Sequence, residues 1–133
     1  MTQAGKITLA LDAHGGDRGL AVSVAAALEA LTEDSALRLI LVGDKSSLEK
    51  ELDRCGGKKS ERLDLHHSES VIAMDAKPAA ILRRGRDSSL WKSFELVANG
   101  DAQACISGGN TGALMIVGVK LLGMLPGIQR PAL

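Results

Sequence analysis

The chain predicts an α/β domain, helices packed on a parallel sheet, and three observations carry that prediction. Short, unbroken aliphatic runs alternate with longer stretches of helical character along the whole chain, the order that strand–helix–strand units require. Apolar residues make up 45% of the 133 positions but aromatics only 2%. The core must therefore be built from Leu, Val, Ile and Ala, which suits a parallel sheet whose strands read as continuous aliphatic runs. Glycine-rich turns also follow the first and fourth of those runs, and open α/β sheets gather ligands beyond the carboxyl ends of their strands.

Taken in order, Ile7–Leu11 reads as the first strand, ending at Asp12. Ala21–Leu31 is an alanine-rich helix closed by the polar Thr32–Ser35, and Leu37–Val42 is a second buried strand that stops at Gly43-Asp44. Ser46 or Ser47 offers a hydroxyl cap for a helix to about Arg54, with Gly56-Gly57 behind it. Leu63–His67 is a third, less hydrophobic strand, on which the His66 and His67 rings point to opposite faces. Residues 68–77 carry no period and read as irregular. Pro78 opens a helix to about Arg84, and Asp87 or Ser88 caps a longer one through Ala98, ended by Asn99-Gly100. Ala104–Ser107 is expected to be a buried strand, and the last helix runs from Asn110.

Composition narrows the functional classes. Sixteen basic and sixteen acidic residues cancel, so no global charge steers the chain to nucleic acid or anionic lipid. The scarcity of aromatics argues against single-stranded nucleic-acid binding as well. Lys58, Lys59 and Arg62 read as a solvated helix face, whereas Arg83, Arg84 and Arg86 leave the question open. Cys55 and Cys105 make no disulfide framework, and Cys105 is expected to act as a small hydrophobe in its strand. The first six residues do not read as a signal peptide. The longest apolar run, Ala113–Leu125, is broken by Lys120 and two glycines and is too short to span a bilayer. The expectation is a soluble, cytoplasmic protein.

The stretch Ser107–Gly112, SGGNTG, lies where the fourth strand gives way to a helix. Backbone N–H groups at a helix N-terminus lack intrahelical partners, and the helix dipole adds partial positive charge. Gly108 and Gly109 remove the Cβ atoms that would hold an anion away, while Ser107, Asn110 and Thr111 add side-chain donors. A phosphate or oxyanion cradle follows from this composition, and so, equally, does a tight turn with Asn110 or Thr111 acting only as a helix cap. The loop is neither a Walker A sequence nor a GxGxxG fingerprint.

The earlier loop, LDAHGGDRG, holds Asp12, His14 and Asp17. Three such residues in one loop are weak support for a metal, and the spacing favours a glycine turn whose aspartates cap the helix at Ala21. Carboxylates beside a phosphate need a cation or a protonated group between them. In KPAAILRRGRDSSLWK, Arg84 and the hydroxyls of Ser88 and Ser89 could meet an anion at a helix start, although by itself this segment reads as an ordinary cap beside solvent arginines.

Together, LALDAHGGD, SVIAMDAKP, RRGRDSSLW, ACISGGNTGALM and GIQRPAL, spread from Ile7 to Leu133, resemble the bacterial phosphate acyltransferase (PlsX) family. The resemblance implies a three-layer α/β/α fold similar to the isocitrate/isopropylmalate dehydrogenase-like group. It implies a reaction of acyl-(acyl carrier protein) with inorganic phosphate, giving acyl phosphate for phospholipid synthesis. Further implications are a homodimer peripheral on the membrane, no cofactor and no metal. It also implies that residues 1–133 form the N-terminal α/β portion of a longer enzyme. On that footing Asn110 and Thr111 are the favoured catalytic donors, with Ser107 and the backbone of Gly108, Gly109 and Gly112 around the phosphate. Ser88, Ser89 and Arg84 would complete the anion site, and Asp12 and Asp17 would orient the donors. The chain departs from the family at His14, where methionine is usual, at Leu20, where proline is usual, and at Gly108, where alanine is common. A phosphate-binding module without catalysis is the alternative. An apolar scaffold and a nicotinamide-dependent enzyme are weaker rivals, the last lacking its glycine fingerprint.

Overall fold

The computed structural model describes residues 5–132. Its elements are β1 (Ile7–Asp12), α1 (Gly19–Glu33), β2 (Leu37–Gly43), α2 (Lys45–Arg54), β3 (Leu63–His67), α3 (Pro78–Arg84), α4 (Ser89–Ala98), β4 (Ala104–Ile106) and α5 (Thr111–Leu122), with a 3₁₀ turn at Gly85–Asp87 joining α3 to α4. The strands form one parallel sheet in the order β3-β2-β1-β4. The chain steps outward from β1 to β2 to β3, then returns to place β4 on the other side of β1. That reversal leaves a crevice between the carboxyl ends of β1 and β4, the position where ligands settle in open α/β sheets.

Alternation along the strands sorts the core into two faces. Leu9 and Leu11 of β1, Leu39 and Leu41 of β2, and Leu63 and Leu65 of β3 pack with Val24, Ala27 and Leu31 of α1 and Leu48 and Leu52 of α2. The intervening Ala10, Ile40 and Val42 meet Leu96 of α4. Beyond them, Ile81 of α3, Leu90, Trp91 and Phe94 of α4, and Ala113 and Val117 of α5 form a third cluster. Helices thus cover both faces, giving the three-layer α/β/α arrangement. Residues such as Leu41 and Leu48, fully buried, each contribute about 1.5–3 kcal/mol relative to exposure.

Four local expectations are corrected. Neither Asp12 nor Asp17 caps α1: that helix starts at Gly19, earlier than Ala21, behind Arg18 and without a side-chain cap. The cap of α2 is Asp44, not Ser46 or Ser47. Asp44 keeps extended backbone at the end of β2, and its carboxylate accepts the Ser47 N–H at 2.9 Å; the serines already lie within the helix. Hydrogen bonds from the Ser47 hydroxyl and backbone hold the Asp44 carboxyl below its ordinary range. Arg62 is not on a solvated helix face. Its guanidinium donates to the carbonyls of Leu31 (2.9 Å), Asp34 (3.0 Å) and Leu37 (3.4 Å), closing the carbonyl end of α1. Finally, β4 ends at Ile106 and is not buried: Ala104 and Ile106 are exposed and Cys105 half-buried, because β4 pairs only with β1. Of the two cap candidates for α4, Ser88 is the one used, its hydroxyl oxygen accepting the Trp91 N–H at 3.2 Å.

Candidate functional site

The two glycine loops meet in the crevice. Asp12, last residue of β1, is only 4% exposed, and its Oδ2 accepts the Ser107 hydroxyl at 2.7 Å. Ser107 Oγ in turn accepts the Gly109 N–H at 3.1 Å. This chain of contacts sets the turn after β4 directly on the end of β1. The loops can approach so closely because their glycines lack side chains. A Cβ on Gly15 would lie 2.7 Å from Ser107 Oγ, 3.0 Å from Asp12 Oδ2 and 3.1 Å from the Gly108 nitrogen. Gly16, at φ +92°, faces the Gly108 backbone in a conformation that side chains disfavour.

Asn110 is the N-cap of α5 and is occupied at both ends of its amide. Its Oδ1 accepts the Ala113 N–H at 3.0 Å, and its Nδ2 donates to the Ala73 carbonyl at 3.1 Å. The cap thereby ties α5 to the irregular 71–74 segment. Thr111 and Gly112 form the exposed first turn, where backbone N–H groups have no intrahelical acceptor.

These elements enclose a cleft of about 210 Å³ lined by Asp12, His14, Gly15, Gly16, the 71–74 segment, Leu90, Gly109 and Asn110. It is smaller than the roughly 300–1,000 Å³ of pockets for drug-sized ligands, a size suited to a small oxyanion. Asp12 is its one charged residue and Asp12 Oδ1, buried, has no hydrogen-bond partner among the described residues. His14 lines the cleft too, but its Nε2 accepts the Asp44 N–H at 2.9 Å, pinning the loop after β1 to the end of β2.

Asp12, Ser107, Gly109 and Asn110 are therefore brought together, with Gly108 packed behind them and Thr111 and Gly112 at the helix mouth. Asp17 is not with them; it is exposed and lines no part of the cleft. Ser88 and Arg84 line a separate hollow of about 160 Å³ with Ser70, across the 71–73 segment that borders both spaces. Ser88 is already spent as a helix cap. Ser89 lines neither space, and its buried hydroxyl has no partner among the described residues. The wall from Val71 to Met74 and Leu90 has no polar pattern to mark it as a site; only the resemblance carried by SVIAMDAKP and RRGRDSSLW drew attention to these stretches. Cys105 lies behind the site, and burial, then the nearby Asp12 charge, push its thiol up to about 11. Among the described residues no group of three or more His, Cys, Asp or Glu could hold a metal, and no helix is long and apolar enough to cross a membrane.

Fold and cleft together define an α/β protein with a small crevice, apolar on one wall and carrying Asp12 and Asn110 on the other, at the reversal point of its sheet. The chain belongs to the family described as "Fatty acid synthesis protein", whose model matches residues 7–133. It is 48% identical over 127 residues to the phosphate acyltransferase of Vibrio campbellii and 50% identical over 127 residues to that of Alkalilimnicola ehrlichii. Each match covers 96% of this chain and 37% of the relative, so the chain spans little more than a third of their length. Among solved structures, the EutD phosphotransacetylase from Staphylococcus aureus superposes with a TM-score of 0.62 at 16% identity, over 94% of this chain and 40% of that one. That likeness concerns the fold.

Proposed function

We propose that the protein holds inorganic phosphate for attack on the thioester of an acyl-(acyl carrier protein), the reaction of a phosphate acyltransferase in phospholipid synthesis. A phosphate oxygen adds to the thioester carbonyl carbon, the carbon–sulfur bond breaks, and acyl phosphate and the free carrier thiol leave. Phosphate oxygen is already nucleophilic, so the protein's task is to position it and to stabilise the carbonyl oxygen as it becomes negative. The observation that carries this reading is the Asp12–Ser107 contact, which joins the two glycine loops beside the N-terminus of α5. The family and its named relatives support the chemistry.

In this reading the backbone N–H groups of Thr111 and Gly112 face the anion, while the Gly109 N–H is held by Ser107. Asn110 acts through its cap, by holding α5 and the 71–74 wall in place. Acyl carrier protein and a second copy of the chain are the proposed partners, at the cytoplasmic face of the membrane. One observation favours the alternative of a phosphate-binding module without catalysis: both ends of the Asn110 amide are engaged within the fold.

Incubating the protein with acyl carrier protein thioester and phosphate, then trapping acyl phosphate with hydroxylamine, separates the two. Phosphate-dependent hydroxamate that falls steeply in Ser107→Ala supports the acyltransferase. Phosphate binding with no hydroxamate at any acyl length leaves the module.

A further inference from the structure

We infer that the hollow at the amino ends of β1, β2 and β3 is a second binding site, for a small ligand of the sugar-phosphate class. Arg38 and Lys6 hold its phosphate, and Ser35, Ser60 and Glu61 meet its hydroxyl groups. The site does not depend on the phosphate reading above. It lies at the opposite end of the sheet from the crevice, separated from it by the six residues of β1, about 20 Å.

Three observations converge. The hollow, of about 510 Å³, is lined by Lys6, by Ser35 to Arg38 and by Ser60 to Arg62. Three cations share it with one carboxylate, Glu61, and none of the three takes part in an ion pair among the described residues. Residues 1–4, next to Lys6 in sequence, add no acid. Like charges gathered without counter-charges repel, and a bound anion relieves that repulsion. Second, the arginines are set by backbone carbonyls rather than by carboxylates. Arg38 Nε donates to the Glu61 carbonyl at 3.1 Å, and its two terminal nitrogens have no acceptor among the described residues. A guanidinium fixed in this way presents its outer fork, which matches a pair of phosphate oxygens. Arg62 is spent on the carbonyls at the end of α1, so it contributes charge more than contacts. Third, the lining indicates what the phosphate is attached to. The volume exceeds the 210 Å³ of the crevice and falls in the range of pockets for organic ligands. No aromatic ring lines it and Leu37 is its one large apolar residue, so neither a nucleobase nor an acyl chain finds a surface to pack on. The Ser35 and Ser60 hydroxyls and the Glu61 carboxylate instead suit a body rich in hydroxyl groups.

The test is titration of the protein with ribose 5-phosphate, inorganic phosphate and ribose, each followed by amide ¹H–¹⁵N chemical shifts. Ribose 5-phosphate should move the amides of Ala36, Arg38 and Glu61 saturably. It should bind there at least about tenfold more tightly than inorganic phosphate or ribose, the scale of one hydrogen bond to a charged group. Arg38→Gln should weaken it about tenfold or more. Lys6→Gln, at an exposed position, should weaken it about threefold. Ribose 5-phosphate that moves none of these amides, or only those of the crevice, would overturn the inference. Equal affinity for ribose 5-phosphate and inorganic phosphate at the hollow would overturn the sugar-phosphate assignment. Binding undiminished in folded Arg38→Gln would also overturn the inference. If that variant does not fold, Lys6→Gln decides, and an unchanged affinity counts against the site. Inorganic phosphate that moves no amide of the crevice would strike the phosphate reading and leave this one standing.

Discussion

The two halves of the molecule use the same aliphatic alphabet to different ends. From β1 to β3, leucines of three strands and two helices close on one another, and Arg62, just before β3, seals the end of α1. From residue 70 onward the packing is less complete. Nine of the eleven large hydrophobic side chains exposed among the described residues lie there, including Val71, Met74, Ile106 and Leu125. The crevice sits on the seam, taking Asp12 and Gly15 from the first half and Ser107, Gly109 and Asn110 from the second. The more closely packed half supplies the carboxylate, while the half that supplies the helix mouth keeps apolar surface open. A site on such a seam gains a firm anchor on one side and a wall, residues 71–74, held chiefly through Asn110 on the other.

Substitutions can break that division. The largest loss of stability should come from Leu41→Ala, which opens a cavity in the closed half at a cost of about 2–5 kcal/mol, measured by urea unfolding. Gly15→Ala strikes the seam itself: its Cβ would overlap Ser107 Oγ. It should cost about 1–3 kcal/mol through overpacking and lose most phosphate binding in calorimetry while remaining folded. Asn110→Ala removes a cap, for about 1 kcal/mol, and frees the 71–74 wall. Faster amide exchange at Ala76 and Ala113 would show this. The smallest effect belongs to Cys105. Its raised value means that the folded state keeps a proton the unfolded chain releases. Stability from this source is intact below pH 9.0 and fades as pH rises toward about 11. A pH series of unfolding midpoints, with Cys105→Ala flattening that decline, checks the sign.

The regular half was the more legible. Aliphatic runs such as Leu39–Val42 announce buried strands, and the glycine pairs after β1 and β4 marked both sides of the crevice. Other features depend on distant partners. Arg62 looks like any surface arginine until the chain's fold brings it to the carbonyls at the end of α1. Asp12 and Ser107 stand 95 positions apart, and no local pattern states that one hydroxyl binds the other's carboxylate. Asp17 shares the Asp12 loop but turns to solvent, because the backbone kinks at Gly16 between them. Asn110 could be read as donor or cap, and geometry gives it the cap. The 71–74 segment stood out only through the family resemblance of SVIAMDAKP, and its part as a wall was not legible because its residues carry no chemistry, only shape.

The central claim is that the β1 and β4 loops together hold a small anion. Its most direct test is a phosphate titration followed by amide ¹H–¹⁵N chemical shifts of the protein. The account predicts saturable shifts centred on Gly15, Gly109, Thr111 and Gly112, all absent in Gly15→Ala. Phosphate that moves none of these amides, or moves only those around Lys58 and Lys59, would contradict it.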